Sequence, residues 1–139
     1  MELSTHYKSS LIIAIDFDGT IVEDRYPDIG KPRRFAFETM EALQAAGHRL
    51  ILWTYREGEK LDEAIRFCKK RGIEFYAINK SHPEERIPFK TRKILADVYI
   101  DDRNFNGIPE WGIIGQSLLG DFNTRSIKKR SKIRKLFGL

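Results

Sequence analysis

Two aspartates, Asp16 and Asp18, stand at the end of an apolar run over residues 11–15 and are followed by Gly19 and Thr20. An Ile-rich run of this kind is typical of a strand buried on both faces of a parallel sheet, and such sheets bind ligands at the carboxyl ends of their strands. Two carboxylates this close repel each other and attract a divalent cation, and oxygen ligands favour a hard ion such as Mg²⁺ over zinc. The pattern therefore indicates phosphoryl-transfer chemistry.

The hydrophobic pattern predicts the elements that must position these residues. Strands alternate with helices, which predicts βαβ units and a parallel sheet. The predicted fold class is α/β: a Rossmann-like, three-layer α/β/α sandwich in one domain over residues 1–139, with its core at about 10–115. The predicted strands are 11–15, 48–53, 73–78 and 98–100, with a short edge strand at 108–115; the predicted helices open near residue 32 and end at 47, run over about 59–71, and lie around 91–96.

Polar residues suited to one reaction follow three of these strands. Because the carboxyl ends of parallel strands share one edge of a sheet, we expect these side chains to gather there. They are Asp16 and Asp18 after the first strand, Thr54 after the second, and Asp101 and Asp102 after the fourth, with Lys93 shortly before the fourth.

In order along the chain, these pieces resemble the motifs of the haloacid dehalogenase-like hydrolase superfamily. Residues 16–20, Asp-Phe-Asp-Gly-Thr, match its first motif. Thr54 stands in the second motif, Lys93 in the third and the pair at 101–102 in the fourth, and the resemblance covers about residues 11–107. Members that displace halide lack an acid at the position of Asp18, so the resemblance implies a phosphatase.

The resemblance also implies a role for each residue. Asp16, expected to be ionised at neutral pH, would attack phosphorus and become an aspartyl-phosphate. Asp18 would protonate the leaving group and later activate water, a task that favours a pKa lifted toward neutrality. Thr54 and Lys93 would stabilise the phosphoryl group and the developing charge. The implied Mg²⁺ ligands are Asp16, the backbone carbonyl of Asp18, Asp101 and, directly or through water, Asp102.

Several assignments have alternatives. Lys90 and Lys80 are rivals to Lys93 as the catalytic lysine, and Asp101 and Asp102 could instead be loop acids paired with Arg103. Thr54 could be an ordinary strand-end residue. Arg56 and Arg103 could contact a distal anionic group of the substrate or form surface salt bridges.

The spacing of the motifs leaves no room for a separate cap domain. Only 37 residues separate Asp16 from Thr54, and 38 separate Thr54 from Lys93. The chain is thus similar to capless members, in which a short flap, here about residues 21–30, covers the site. Such members act on larger phosphorylated molecules or use a neighbouring subunit as a lid, so a homo-oligomer could complete the site.

The positive net charge of the chain is concentrated in its last fifteen residues. Residues 125–139 contain seven Lys or Arg and no acid, while the rest carries 18 bases against 20 acids, so the net charge of +5 belongs to this basic tail. We expect the tail to pack on the body as a solvated helix; the alternative is contact with nucleic acid or an anionic membrane.

Cys68 is expected to be a small buried hydrophobe. No apolar run approaches the roughly 20 residues that span a bilayer, which predicts a cytoplasmic protein.

The sequence therefore predicts a Mg²⁺-dependent phosphomonoester hydrolase whose substrate is a phosphorylated small molecule. The alternatives are a catalytically weak binding or regulatory module on the same fold, and a phosphotransferase that uses the same residues with an acceptor other than water.

Overall fold

The structure is a computed structural model that describes residues 10–86 and 93–120. Its strands form one sheet, and its helices follow the strands along the chain. The basic tail and Lys90 lie outside the described residues. In chain order the elements are β1 Ile12–Ile15, α1 Ala36–Ala45, β2 Arg49–Leu52, α2 Gly58–Lys69, β3 Ala77–Ile78, β4 Val98–Ile100 and α3, residues 111–120.

The sheet is parallel throughout, with the strand order β3-β2-β1-β4. Successive strands β1, β2 and β3 are added in one direction, and β4 returns to the other side of β1. The order of the strands therefore reverses between β1 and β4, and open α/β sheets bind ligands at the carboxyl side of such a switch point. Asp16 follows one of these two strands, and Asp101 and Asp102 follow the other.

The three helices pack on one face of the sheet. Along β1 and β2 successive side chains point to opposite faces, so that Ile13 and Leu50 join one buried cluster and Ala14 and Ile51 join another. The first cluster contains buried residues from every described helix, including Met40 of α1, Cys68 of α2 and Trp111 and Ile114 of α3. This confirms Cys68 as a buried residue.

Ile94, which belongs to no described helix, covers part of the opposite face of the sheet. Ile94 packs there against Ala14 and Ile51, beside partly buried Trp53 and Tyr99. The described part of the predicted 91–96 helix, residues 93–96, is not helical, and within the described ranges this face carries no helix. The chain thus has a Rossmann-like parallel sheet, while its three-layer form stays a prediction.

The predicted edge strand at 108–115 is wrong, because the chain is helical from residue 111. The N–H of Ile114 donates to the carbonyl of Glu110 at 3.1 Å, which begins the helix directly after Pro109. The buried positions of α3, namely 111, 114, 115 and 119, follow a helical spacing. That spacing extends beyond residue 115, where the predicted strand ended.

Strand β3 is shorter than the predicted strand over 73–78. The N–H of Ile73 donates to the carbonyl of Cys68 at 3.0 Å, so it closes the end of α2 and is not available to a sheet. Gly72, at φ 83°, provides the left-handed residue that ends such a helix. Only Ala77 and Ile78 pair with β2.

No helix in the described ranges is long and apolar enough to cross a membrane.

Candidate functional site

Three carboxylates meet where β1 and β4 end. Asp16, Asp101 and Asp102 each offer one carboxylate oxygen, and these oxygens all lie within 4.8 Å of one another. The N–H of Asp16 donates to the carbonyl of Ile100 at 3.0 Å, which continues the β1–β4 pairing into the site. Three oxygen donors at this spacing suit a hard divalent cation such as Mg²⁺.

Thr20 links the two halves of this cluster. Its hydroxyl oxygen lies 3.0 Å from Oδ2 of Asp16 and 3.2 Å from Oδ1 of Asp102, and it accepts a hydrogen bond from the N–H of Asp102 at 3.0 Å. The indole of Trp111 donates to the carbonyl of Thr20 at 2.8 Å. Helix α3 therefore supports the residue that connects the two strand ends. Thr20 was part of the predicted motif, but no role was predicted for it.

Gly19 lies against the side chain of Asp102, where there is no room for a Cβ. Its φ is 85°, a left-handed conformation that L residues with a side chain rarely adopt. A Cβ added there would lie 2.7 Å from Cγ of Asp102. A side chain at Gly19 would therefore displace Asp102 as well as strain the backbone.

The cluster changes the acidity of Asp16. Burial, a hydrogen bond with the carboxyl group of Asp102 and the nearby charge of Asp101 raise the pKa of Asp16 from 3.8 to about 8. The expectation that Asp16 is ionised at neutral pH therefore fails for the protein without a cation. A bound divalent cation would favour the carboxylate form, because opposite charges attract.

Asp18 does not join the cluster but forms a buried ion pair with Arg56. Nε of Arg56 donates to Oδ2 of Asp18 and Nη2 donates to Oδ1, both at 2.7 Å. The Asp18 side chain is 1% exposed and that of Arg56 0%. The hydrogen bonds with Asp18 raise the pKa of the Arg56 guanidinium. Sequence patterns gave no sign of this pairing, since a long arginine side chain is usually exposed.

Arg56 also holds the segment after the first motif. Its guanidinium donates to the carbonyl of Asp28 at 2.9 Å and to that of Pro27 at 3.3 Å. The ends of this segment are joined by a hydrogen bond from the N–H of Glu23 to the carbonyl of Lys31 at 2.8 Å. The predicted flap is thus a closed loop that is anchored to the same arginine as Asp18.

An open cleft of about 300 Å³ lies over the ends of the strands. It brings together residues from β1, β2 and β4 and from the flap. Its lining residues are Asp16, Asp18, Asp24, Trp53, Thr54, Tyr55, Asp101 and Arg103.

Thr54 lies in this cleft and is held by its neighbours. Its N–H donates to Oδ1 of Asn79 at 2.8 Å, and its hydroxyl oxygen accepts a hydrogen bond from the N–H of Arg56 at 3.1 Å. The hydroxyl proton of Thr54 therefore stays available to a ligand. Asn79 follows β3, so the ends of all four described strands help to position the site.

Lys93 is exposed and does not line the cleft. Its ammonium group lies 4.8 Å from the centroid of the Tyr99 ring. Among the described residues that line the cleft, the exposed basic side chain is Arg103. Its N–H donates to Oδ1 of Asp101 at 2.9 Å, so Arg103 is tied to the cluster through its backbone.

The comparisons with known proteins give one clear relative. No model of a known protein family matches the chain, and no curated protein matches it. A solved structure of a conserved protein from Bacteroides thetaiotaomicron is 57% identical in sequence, with a TM-score of 0.74, over 81% of this chain and 94% of that one. The chain therefore belongs to the same family as this conserved Bacteroides thetaiotaomicron protein.

Proposed function

We propose that the protein is a capless, Mg²⁺-dependent phosphomonoester hydrolase of the haloacid dehalogenase-like type, which works through an aspartyl-phosphate on Asp16. The observation that carries the proposal is the convergence of Asp16, Asp101 and Asp102 from β1 and β4, with Asp16 and Asp101 facing an open cleft. Both strand-end carboxylate groups were predicted from sequence. The predicted three-layer architecture and cytoplasmic location belong to this proposal.

Asp16 is the proposed nucleophile because it belongs to both the carboxylate cluster and the cleft. A bound Mg²⁺ would supply positive charge that offsets the repulsion between a carboxylate and an anionic phosphate. Asp101 and Asp102 would hold the ion together with Asp16. Both side-chain oxygens of Asp18 bind Arg56, so Asp18 would contribute its backbone carbonyl to the ion, as predicted.

The reaction has two steps. In the first, a carboxylate oxygen of Asp16 bonds to phosphorus while the bond from phosphorus to the leaving oxygen breaks, and that oxygen takes a proton. In the second, the oxygen of a water molecule bonds to phosphorus and loses a proton to the base, while the bond from phosphorus to the carboxylate oxygen of Asp16 breaks. Phosphate leaves and the carboxylate of Asp16 is restored. Asp18, the proposed acid and base, lines the cleft.

The ion pair with Arg56 constrains what Asp18 can do. Each side-chain oxygen of Asp18 already accepts a hydrogen bond from the Arg56 guanidinium. For Asp18 to deliver a proton in the first step, the contact with Arg56 must loosen. Because Arg56 also binds the carbonyls of Pro27 and Asp28, loosening this contact would release the flap as well.

The remaining roles concern the phosphoryl group. The free hydroxyl proton of Thr54 would bind a phosphoryl oxygen. Lys93 and its rival Lys90 stay predictions for the stabilising cation, and the cleft position of Arg103 supports it as a further candidate. A second subunit that completes the open site also stays a prediction.

Turnover of a generic aryl phosphate tests the proposal. We expect release of phosphate that requires Mg²⁺ and that Asp16→Asn abolishes. The matched control is Asp62→Asn, an exposed aspartate of α2, which should keep full activity. Metal-independent turnover, or an active Asp16→Asn variant that folds normally, would overturn the mechanism.

One observation favours the second candidate, a binding or regulatory module without useful turnover. The proposed acid and base is engaged on both oxygens by a buried arginine. Binding of phosphate esters that depends on Mg²⁺, without turnover across a broad panel, would support this alternative. Phosphoryl transfer to an added alcohol would instead identify a phosphotransferase.

A further inference from the structure

Aromatic side chains form one side of the cleft. Trp53 and Tyr55 follow β2 and line the cleft on either side of Thr54 in the sequence. Tyr55 is 63% exposed and the neighbouring Tyr26, from the flap, is 45% exposed. Large exposed aromatic rings beside a polar site are typical of surfaces that bind a ligand.

The rings are held in place by contacts within the protein. The ring centroids of Tyr26 and Tyr55 lie 4.9 Å apart, and Cζ of Arg56 lies 5.1 Å from the centroid of Tyr26. The rings of Trp53 and Tyr99 lie 5.4 Å apart. Because these contacts already hold the Tyr55 ring, a ligand that stacks on it would lose little free energy in ordering the side chain. A preorganised site of this kind binds more tightly.

The sheet order separates two ends of the cleft. The carboxylate cluster lies at the ends of β1 and β4, whereas the aromatic residues follow β2, on the other side of β1. A phosphoryl group bound at the cluster would therefore have its leaving group directed either toward Arg103, after β4, or toward Tyr55, after β2. The volume of about 300 Å³ is large enough for a phosphate with a ring attached.

We propose that this cleft selects phosphomonoesters whose leaving group carries a planar aromatic ring, which stacks on Tyr55 beside Trp53. This inference rests on the proposed phosphatase function and adds the substrate class. The exposed face of Tyr55 carries the selectivity, since every flat ring can stack on it without specific hydrogen bonds. A nucleotide base and a simple aryl group share this chemistry.

A matched pair of substrates tests the inference. Benzyl phosphate and cyclohexylmethyl phosphate are both esters of primary alcohols and have similar size, but only the first carries a flat ring. We expect kcat/KM to be about tenfold higher for benzyl phosphate, equivalent to about 1.4 kcal/mol. Tyr55→Leu should reduce the ratio to near one, and Tyr55→Phe should preserve it. The control Phe105→Leu changes an exposed aromatic residue that does not line the cleft, and it should leave the ratio unchanged.

Binding of the corresponding phosphonates, followed by the fluorescence of Trp53 and Trp111, separates this inference from the proposed function. Tighter binding of benzylphosphonate that Tyr55→Leu abolishes would support the aromatic subsite even if no ester is turned over. Equal kcat/KM values for the two substrates in an active wild-type protein would overturn the aromatic subsite but not the proposed phosphatase function. A ratio that survives in Tyr55→Leu would also overturn it. Nucleoside monophosphates and aryl phosphates, compared next, distinguish the two sources of the ring.

Discussion

Replacing Arg56 by methionine should strongly destabilise the fold, because it leaves a buried carboxylate without its partner. The Asp18 side chain is 1% exposed and loses two hydrogen bonds of 2.7 Å to a charged group. The flap loses its contacts with the same guanidinium at Pro27 and Asp28. Removing one partner of a buried ion pair costs about 3 to 5 kcal/mol, so we expect Arg56→Met to lower the free energy of unfolding by this amount.

Urea denaturation of Arg56→Met, Asp18→Leu and the double variant measures this effect. The double variant should be more stable than Arg56→Met alone, because it contains no unpaired buried charge. The control is Arg103→Met, which removes an exposed arginine from the same cleft and should change stability by less than about 0.5 kcal/mol. A loss in Arg56→Met no larger than that of the control would refute the buried pair. The buried pair would also be refuted if the loss of stability in the double variant equalled the sum of the losses in the two single variants.

Three further predictions concern the carboxylate cluster and the core. The pKa of Asp16 is about 8 in the folded protein and near 3.8 when unfolded, so the folded state holds more protons between these values. In chelator, raising the pH from about 4 to about 8 should therefore lower the stability of the wild type by up to about 5 kcal/mol more than that of Asp16→Asn. Parallel pH profiles of the two proteins would contradict this. Mg²⁺ should raise the melting temperature of the wild type, and Gly19→Ala should abolish this rise because its Cβ would displace Asp102. Gly47→Ala, at a positive φ with open space around it, should lose stability and keep the Mg²⁺ response. Burial raises the pKa of Cys68 to about 12, so a thiol reagent should modify it only at the rate of unfolding, and fast modification of the native protein would show that it is accessible.

Sequence reasoning located the strands and acids that define the site, because their signal is local. The Ile-rich run before Asp16 is typical of a buried strand, and a short apolar run also precedes Asp101. Alternation with helices then requires a parallel sheet, and parallel strands bring their carboxyl ends together. The convergence of the carboxylates thus follows from features that each lie within a few residues.

The parts that sequence reasoning missed depend on contacts between distant segments. The sequence predicts Arg56 in a surface salt bridge or in contact with the substrate. In the folded chain its guanidinium donates to Asp18, which lies 38 positions away in the sequence. The predicted edge strand at 108–115 overlaps α3 because the apolar residues up to 115 also fit a short strand, whereas the helical spacing of the buried positions extends to residue 119. The raised pKa of Asp16 arises from its burial and from Asp102 and Asp101. Strand order, and not spacing in the sequence, brings those two carboxylates close to it.

The proposed covalent bond between Asp16 and phosphorus can be trapped by rapid acid quenching. Wild-type protein is mixed with Mg²⁺ and benzyl phosphate, quenched within one turnover and digested, and the peptides are examined by mass spectrometry. We expect a phosphate adduct on the peptide that contains Asp16, which forms only with Mg²⁺ and is absent in Asp16→Asn. Turnover that proceeds with the phosphate adduct on a different residue, or at full rate in Asp16→Asn, would contradict it.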